Sequence, residues 1–139
     1  MEERKTKRKP LEVVAGYIKE GDRFLLFRRP PYKARGLGWE FAGGKIEKGE
    51  TGQQALKREL REEINADVTV YDEMAECYHD YDDLSIHLTL YQCSLSEKGF
   101  SLNEHVDCRW VTLEETDEMI LCPADKILVE MLKRKSELL

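Results

Sequence analysis

Long apolar runs are missing from this 139-residue sequence. No stretch approaches the roughly 20 residues that a membrane-crossing helix needs, so no membrane partner is expected. The first ten residues, Met1 to Pro10, are basic but have no apolar segment behind them, which excludes a secretory signal. They read as a flexible leader, and residues 11–139 as a single domain of the cytoplasm. Cysteine is sparse. Cys77, Cys93, Cys108 and Cys122 form no C-x-x-C pair and no zinc-like grouping with histidine, so they read as buried free thiols in a reducing compartment. Positive charge is in deficit: Lys and Arg total 22 against 28 Asp and Glu, net −6, which argues against a nucleic-acid polymer as partner. An acidic chain can still take a polyanion if divalent cations supply the missing charge. Internal repeats and low-complexity linkers are absent too. What remains is a well-charged globular composition, long enough to bury a core without disulfides.

Leu11–Ile18 is rich in β-branched residues and reads as a strand, and Arg23–Arg29, after the Gly21-Asp22 turn, as another. Pro30-Pro31 ends it, Tyr32–Gly38 is a loop, and Trp39–Ala42 reads as a short strand running into Gly43-Gly44. Thr51 opens the strongest helix signal, and Gln54, three residues on, completes a capping box. Leu56, Leu60 and Ile64 form an apolar stripe, and Asn65 suits the left-handed position at a helix end. Val68–Val70, Ala75–His79 and Leu84–Cys93 read as strands, with the acidic run Asp72–Asp83 as a solvated hairpin. Arg109–Thr112 reads as a further strand. Pro123 starts a last helix with Ile127, Leu128, Met131 and Leu132 as its packing face. There are too many consecutive strands for a pure βαβ repeat, which points to a mixed sheet with helices packed on it.

One segment resists an ordinary structural reading. In Arg58-Glu59-Leu60-Arg61-Glu62-Glu63, the three glutamates fall at i, i+3 and i+4, on the helix face beside the apolar stripe. Like charges at that spacing cost roughly 0.2–0.5 kcal/mol per pair. Carboxylate oxygens are the ligands Mg²⁺ prefers, and Mg²⁺ brings phosphate oxygens into its shell. A cation here cancels the repulsion and recruits a phosphate. The preceding Gly43 and Gly44 let backbone approach a ligand closely. Arg58 can orient a carboxylate through its fork, and Glu50 is near enough to join it.

The order of these residues, Gly44, Glu50, Arg58, Glu59, Leu60, Glu62 and Glu63, resembles the Nudix hydrolase signature G-x5-E-x7-R-E-U-x-E-E-x-G-U, where U is a bulky apolar residue. Asn65 stands where the family has glycine and Ala66 where it has a larger apolar residue. The resemblance implies a Nudix fold, an α/β/α sandwich around a mixed sheet, and Mg²⁺- or Mn²⁺-dependent hydrolysis of a nucleoside diphosphate linked to another group. It implies that Glu59, Glu62 and Glu63 ligate the metal, helped by the carbonyl of Gly43. Arg58 orients the catalytic carboxylate, and Glu104 supplies a further acid from a loop. The general base is Glu59 or Glu104.

Outside the box, "WEFAGGKIEKGET", the Arg28-Arg29 pair and "PAD" at Pro123–Asp125 resemble the MutT-like branch, with Ala42 where proline is usual. That branch implies a nucleoside triphosphate substrate, with oxidised guanine nucleotides such as 8-oxo-dGTP first and CTP or dCTP second. Asp125 either contacts the base or is an ordinary first-turn acid. Phe41 lines the base pocket or belongs to the core, while Arg29, Gly44 and Lys45 lie near phosphates or sugar. Trp39 and Trp110 are packing residues. A different nucleoside diphosphate derivative, or a non-catalytic nucleotide-binding module, are the alternatives. The chain is expected to be a monomer or a homodimer.

Overall fold

The computed structural model describes residues 8–138. Residues 1–7 of the expected leader, and Leu139, lie outside the described residues. Arg8 is tied down: its guanidinium donates to the carbonyls of Tyr81 (2.7 Å) and Asp82 (3.1 Å) and to Ser85 Oγ (3.2 Å).

Strands β1 (Leu11–Glu20) and β2 (Arg23–Arg28) form a hairpin across the Gly21-Asp22 turn. Two very short strands follow, β3 (Trp39–Glu40) on β2 and β4 (Gly43–Lys45) on β1. The expected single strand Trp39–Ala42 is therefore broken after Glu40, and the chain crosses from one partner strand to another there. Helix α1 spans Gly52–Ile64. Strands β5 (Val68–Asp80) and β6 (Ser85–Leu95) make a long hairpin, and β7 (Asp107–Val111) returns to β2. The two strands expected at Val68–Val70 and Ala75–His79 are one, because register shifts at Val70/Glu73 and Glu73/Ala75 keep the pairing continuous through the acidic stretch. A 3₁₀ turn (Glu114–Glu118) precedes helix α2 (Pro123–Glu137).

The seven-stranded sheet runs β3-β2-β1-β6-β5, with β4 also on β1 and β7 also on β2. Among the described strands β1 and β6 pair in parallel and the others antiparallel, so the sheet is mixed, and an isolated parallel bridge joins Trp39 to Leu121. Its two faces read directly from β2. Phe24, Leu25, Leu26 and Phe27 are all fully buried. Leu25 and Phe27 join the cluster under α1, while Phe24 and Leu26 join the cluster under α2. Successive strand residues point to opposite faces, so a run buried throughout requires cover on both sides. That makes an α/β/α sandwich, and each such side chain contributes roughly 1.5–3 kcal/mol by leaving water.

The helices are placed by their ends. Thr51 Oγ1 accepts from Gln54 N–H (3.1 Å) and Gln54 Oε1 accepts from Thr51 N–H (2.9 Å), completing the capping box. At the other end Asn65 takes a left-handed conformation (φ 50°, ψ 38°). The N–H of Ala66 reaches back to the carbonyl of Leu60 (3.3 Å). Asparagine thus does the work of the missing glycine. In α2 the buried face is Ala124, Leu128, Val129 and Leu132, while Ile127 and Met131 are partly buried at its margin.

Candidate active site

Because Leu56, Leu60 and Ile64 face the sheet, Arg58, Glu59, Glu62 and Glu63 emerge along the flank of α1 that adjoins β4. Arg58 organises this flank. Its Nε and a terminal nitrogen grip Glu50 as a fork (2.6 and 2.9 Å). Its other terminal nitrogen donates to Glu59 Oε1 (2.7 Å) and Glu62 Oε1 (3.2 Å), and a further bond reaches the carbonyl of Lys45 (3.0 Å). Glu50 arrives through a tight turn closed by Gly49, whose φ of 87° disfavours any other residue. The fork holds the Glu50 carboxyl down at about 2, and the same bonds to Glu50 and Glu59 raise the Arg58 guanidinium further above its ordinary value.

The other oxygen of Glu59 lies against Gly44. A Cβ at position 44 would stand 1.8 Å from Glu59 Oε2, so the glycine makes room for the carboxylate. Burial raises the Glu59 carboxyl in spite of Arg58. Glu63 is pushed up to about 7, chiefly by burial, with Glu40 and Glu59 adding to the effect and His105 opposing it. Glu62 is the most exposed of the three.

Beside this flank opens a cavity of about 340 Å³. That is at the lower end of the range for small-molecule sites. Gly43, Gly44, Lys45 and Glu63 line one part of it. Arg29, Phe41 and Asp125 line another, together with Tyr81 and Cys122. Glu104 is also on the wall, ion-paired with Lys33, which pulls its carboxyl down. Its partner is thus a lysine of the 30–38 loop rather than the box acids. Arg58, Glu59 and Glu62 are outside the wall, though Glu59 abuts Gly44 and Arg58 binds Lys45.

Asp125, in the first turn of α2, is buried, and its Oδ1 accepts from the N–H of Phe41 (3.0 Å). Burial, reinforced by Glu40, holds its carboxyl well above the usual range. Phe41 has both expected roles, since it lines the cavity and stacks on Phe24 at 5.8 Å in the core. Tyr81 Oη accepts from Ala124 N–H (3.0 Å), and the Arg35 guanidinium lies 4.1 Å over its ring. Arg29 is committed to the cavity floor: it donates to both oxygens of Glu40 (3.1 and 3.3 Å) and to the carbonyl of Ala34 (2.8 Å). Trp39 is a packing residue, buried in the α2 cluster, and Trp110 packs partly buried against the α1 cluster.

Two residues escaped the sequence reading. His105 is buried, with its Nε2 3.0 Å from Glu40 Oε2 and its Nδ1 3.8 Å from Glu63 Oε2. Glu40, on β3, also faces Asp125 and Cys122, with one ligand atom of each within 4.8 Å of the others. Only their adjacency to Glu104 and Phe41 hinted at either.

The donor chemistry separates the two candidate ion positions. Glu59, Glu62 and Glu63 offer carboxylate oxygens, which suits a hard cation such as Mg²⁺; the space left by the two glycines is taken by the Val14 carbonyl at Gly43 and by Glu59 at Gly44, rather than left open to a ligand. The Glu40, Cys122 and Asp125 group suits it poorly. Burial pushes the Cys122 thiol up to about 12, so it stays protonated, and Arg29 already neutralises Glu40.

Comparisons with known proteins bear on this geometry. The family model described as NUDIX domain matches residues 9–132. The CTP pyrophosphohydrolase of Escherichia coli (strain K12) is 37% identical over 122 residues, which covers 88% of this chain and 90% of that protein. An 8-oxo-dGTP diphosphatase of Proteus vulgaris is 40% identical over 85 residues, 60% of this chain and 76% of that one. The solution structure of the E. coli ORF135 protein superposes with a TM-score of 0.80 at 35% identity, covering 91% and 90% of the two chains. The crystal structure of the MutT protein from Methanosarcina mazei Go1 superposes at 0.83 with 21% identity, covering 94% and 97%, a likeness of fold.

Proposed function

This chain belongs to the Nudix hydrolase family, and from that premise we propose that it is a cytoplasmic, divalent-cation-dependent pyrophosphohydrolase of nucleoside triphosphates. One observation carries the reading: a single cavity joins the edge of the acidic helix flank to the buried Asp125. A nucleotide lying along it would have its phosphates at one end and its base at the other. Among the described residues no helix is long and apolar enough to cross a membrane.

In this reading Glu59, Glu62 and Glu63, with the Gly43 carbonyl and Glu104, hold Mg²⁺ or Mn²⁺. Once bound, the ion supplies Lewis-acid activation of water and neutralises charge on the phosphates. The chain's own residues do the rest. Arg58 fixes Glu59 and Glu62 before any ligand arrives. Gly44 leaves room for the Glu59 carboxylate to reach the cavity edge, and Lys45 offers a cation nearby. Between the two candidate bases, surroundings favour Glu59. Burial raises its basicity, whereas Lys33 lowers that of Glu104.

Asp125 carries the selectivity. Burial raises its carboxyl well above the usual range, and in its protonated form it presents one O–H donor and one acceptor side by side. The N7–H and O6 edge of 8-oxoguanine is complementary to that pair, whereas unmodified guanine has no hydrogen on N7 and offers two acceptors along the same edge, so oxidised guanine nucleotides are the leading substrate. The N3 and N4–H edge of cytosine is complementary as well. A relative named CTP pyrophosphohydrolase, matched along nearly its whole length, favours CTP or dCTP as the second reading.

The test is a panel of 8-oxo-dGTP, dGTP, CTP, dCTP and the remaining triphosphates with Mg²⁺, scored by pyrophosphate release. The expected result is a kcat/KM for 8-oxo-dGTP or for a cytosine nucleotide at least about tenfold above dGTP, a discrimination of about 1.4 kcal/mol. Absence of turnover on every triphosphate overturns the proposal.

A further inference from the structure

The His105 ring is 4% exposed, and the loops on either side of it are tied down. The loop before it is stitched to the end of α1. Ser101 N–H donates to the Ile64 carbonyl (2.8 Å), Asn103 N–H to the Glu63 carbonyl (3.2 Å), and Asn65 Nδ2 to Asn103 Oδ1 (2.9 Å). The loop after it is tied to β2 by Val106 N–H on the Arg28 carbonyl (3.0 Å). The ring lies 5.2 Å from that of Phe27.

A histidine held only for packing normally has both nitrogens satisfied. Here Nε2 has Glu40, but Nδ1 is the one buried side-chain nitrogen or oxygen among the described residues without a hydrogen-bond partner. At 3.8 Å from Nδ1, Glu63 Oε2 is beyond hydrogen-bond length by somewhat less than about 1 Å. The imidazole therefore stands between two carboxylates that belong to different ends of the cavity. Glu40 faces Asp125 and Cys122 at the recognition end. Glu63 belongs to the acidic flank.

We propose that His105 is a positioning residue that couples occupancy of the recognition end to the placement of the Glu63 carboxylate. This rests on the reading of the box acids as the cation site and of Asp125 as the base contact. A base seated on Asp125 displaces or fixes Glu40, its neighbour. The imidazole follows Glu40, and Nδ1 closes on Glu63 and sets its oxygen toward the cation. The two ends are then linked by one ring, with no need for the phosphates to bridge them.

The coupling is measurable without catalysis, using nucleosides that carry no phosphate. Mn²⁺ is titrated into the full-length protein, followed by electron paramagnetic resonance, alone and with saturating 8-oxoguanosine or cytidine, whose own binding is followed by tryptophan fluorescence. In the wild type the nucleoside that binds should tighten Mn²⁺ by roughly 5-fold or more. In His105→Phe, which keeps an aromatic ring against Phe27, that factor should fall to about 1 while both ligands still bind. His105→Gln, which keeps a donor near Glu40 but loses Nδ1, should behave the same way and serves if the Phe variant does not fold. Because the coupling is reciprocal, the metal-saturated variants should also lose nucleotide affinity by the same factor, so KM should rise roughly 5-fold. An unchanged coupling factor in both variants overturns the proposal, as does a factor of 1 in the wild type with nucleoside bound. If the wild type binds no Mn²⁺ or neither nucleoside, the underlying reading of the site fails, and this inference falls with it. Loss of Tm alone, without loss of coupling, assigns His105 to packing and overturns the inference.

Discussion

Arg58 uses its guanidinium on four partners at once: Glu50, Glu59, Glu62 and the backbone of Lys45. A lysine has one compact ammonium and cannot reproduce that fork. Arg58→Lys is expected to lower kcat or metal affinity by about 10–100-fold, the usual loss when a group orienting metal ligands is changed, with the fold intact by circular dichroism. Gly44→Ala places a methyl on Glu59 Oε2 and should reduce kcat with little change in Tm, because the carboxylate end is what moves. Glu63 makes a signed statement about pH. Its folded-state carboxyl titrates at about 7, above its ordinary 4.5. Its contribution to stability is complete below about pH 4.5 and is lost as pH rises through about 7. Metal-free Glu63→Gln should match the wild type in Tm at pH 4.5 and exceed it at pH 7 and above; thermal melts at the two pH values check this. Much at this scale was legible from sequence. The i, i+3, i+4 acids, the arginine beside them and the left-handed asparagine all follow from local spacing and residue type. Glu40 and His105 were not, because 65 residues separate them and periodicity reports only near neighbours along the chain.

At the scale of elements, α1 is where sequence and structure agree most closely, since its cap, stripe and terminus are all written within fifteen residues or so. Thr51→Ala removes the capping-box acceptor and should cost about 1 kcal/mol, or about 3–4 °C in Tm. Calorimetry tests it, and a null effect would mean that the sheet, rather than the cap, fixes the helix start. The strand expectations erred where pairing partners decide. The break after Glu40 and the continuous β5 depend on which strand lies alongside, and a single strand's composition does not encode that. The break is useful. It leaves Glu40 on the strand paired with β2 and puts the two glycines on the strand paired with β1, so one short segment serves both ends of the cavity. The 3₁₀ turn at Glu114–Glu118 had no sequence expectation; it runs polar and acidic, with only Thr116 buried.

For the whole molecule, the net charge of −6 and the carboxylates around Arg58 make the metal-free site an electrostatic compromise. Mg²⁺ should raise Tm by preferential binding to the folded state, by RT ln(1 + [L]/Kd), and the response should shrink in Glu62→Gln. A Tm that ignores millimolar Mg²⁺ would refute the cation site. The cavity's two ends also differ in how they are tied. The acidic flank closes within a short stretch, the Arg58–Lys45 contact spanning 13 residues. The Asp125 end depends on Glu40–His105 and Phe41–Asp125, which span 65 and 84 residues. Native structures open locally before they open globally, and an opening that undocks α2 breaks the Phe41–Asp125 bond while leaving the Arg58–Lys45 contact in place. The failure mode of this enzyme should therefore be a loss of fidelity before a loss of rate. In urea below the unfolding midpoint, discrimination between nucleotides should fade while Mn²⁺ is still held. A warmed or partly denatured sample would keep hydrolysing triphosphates, but with less regard for which.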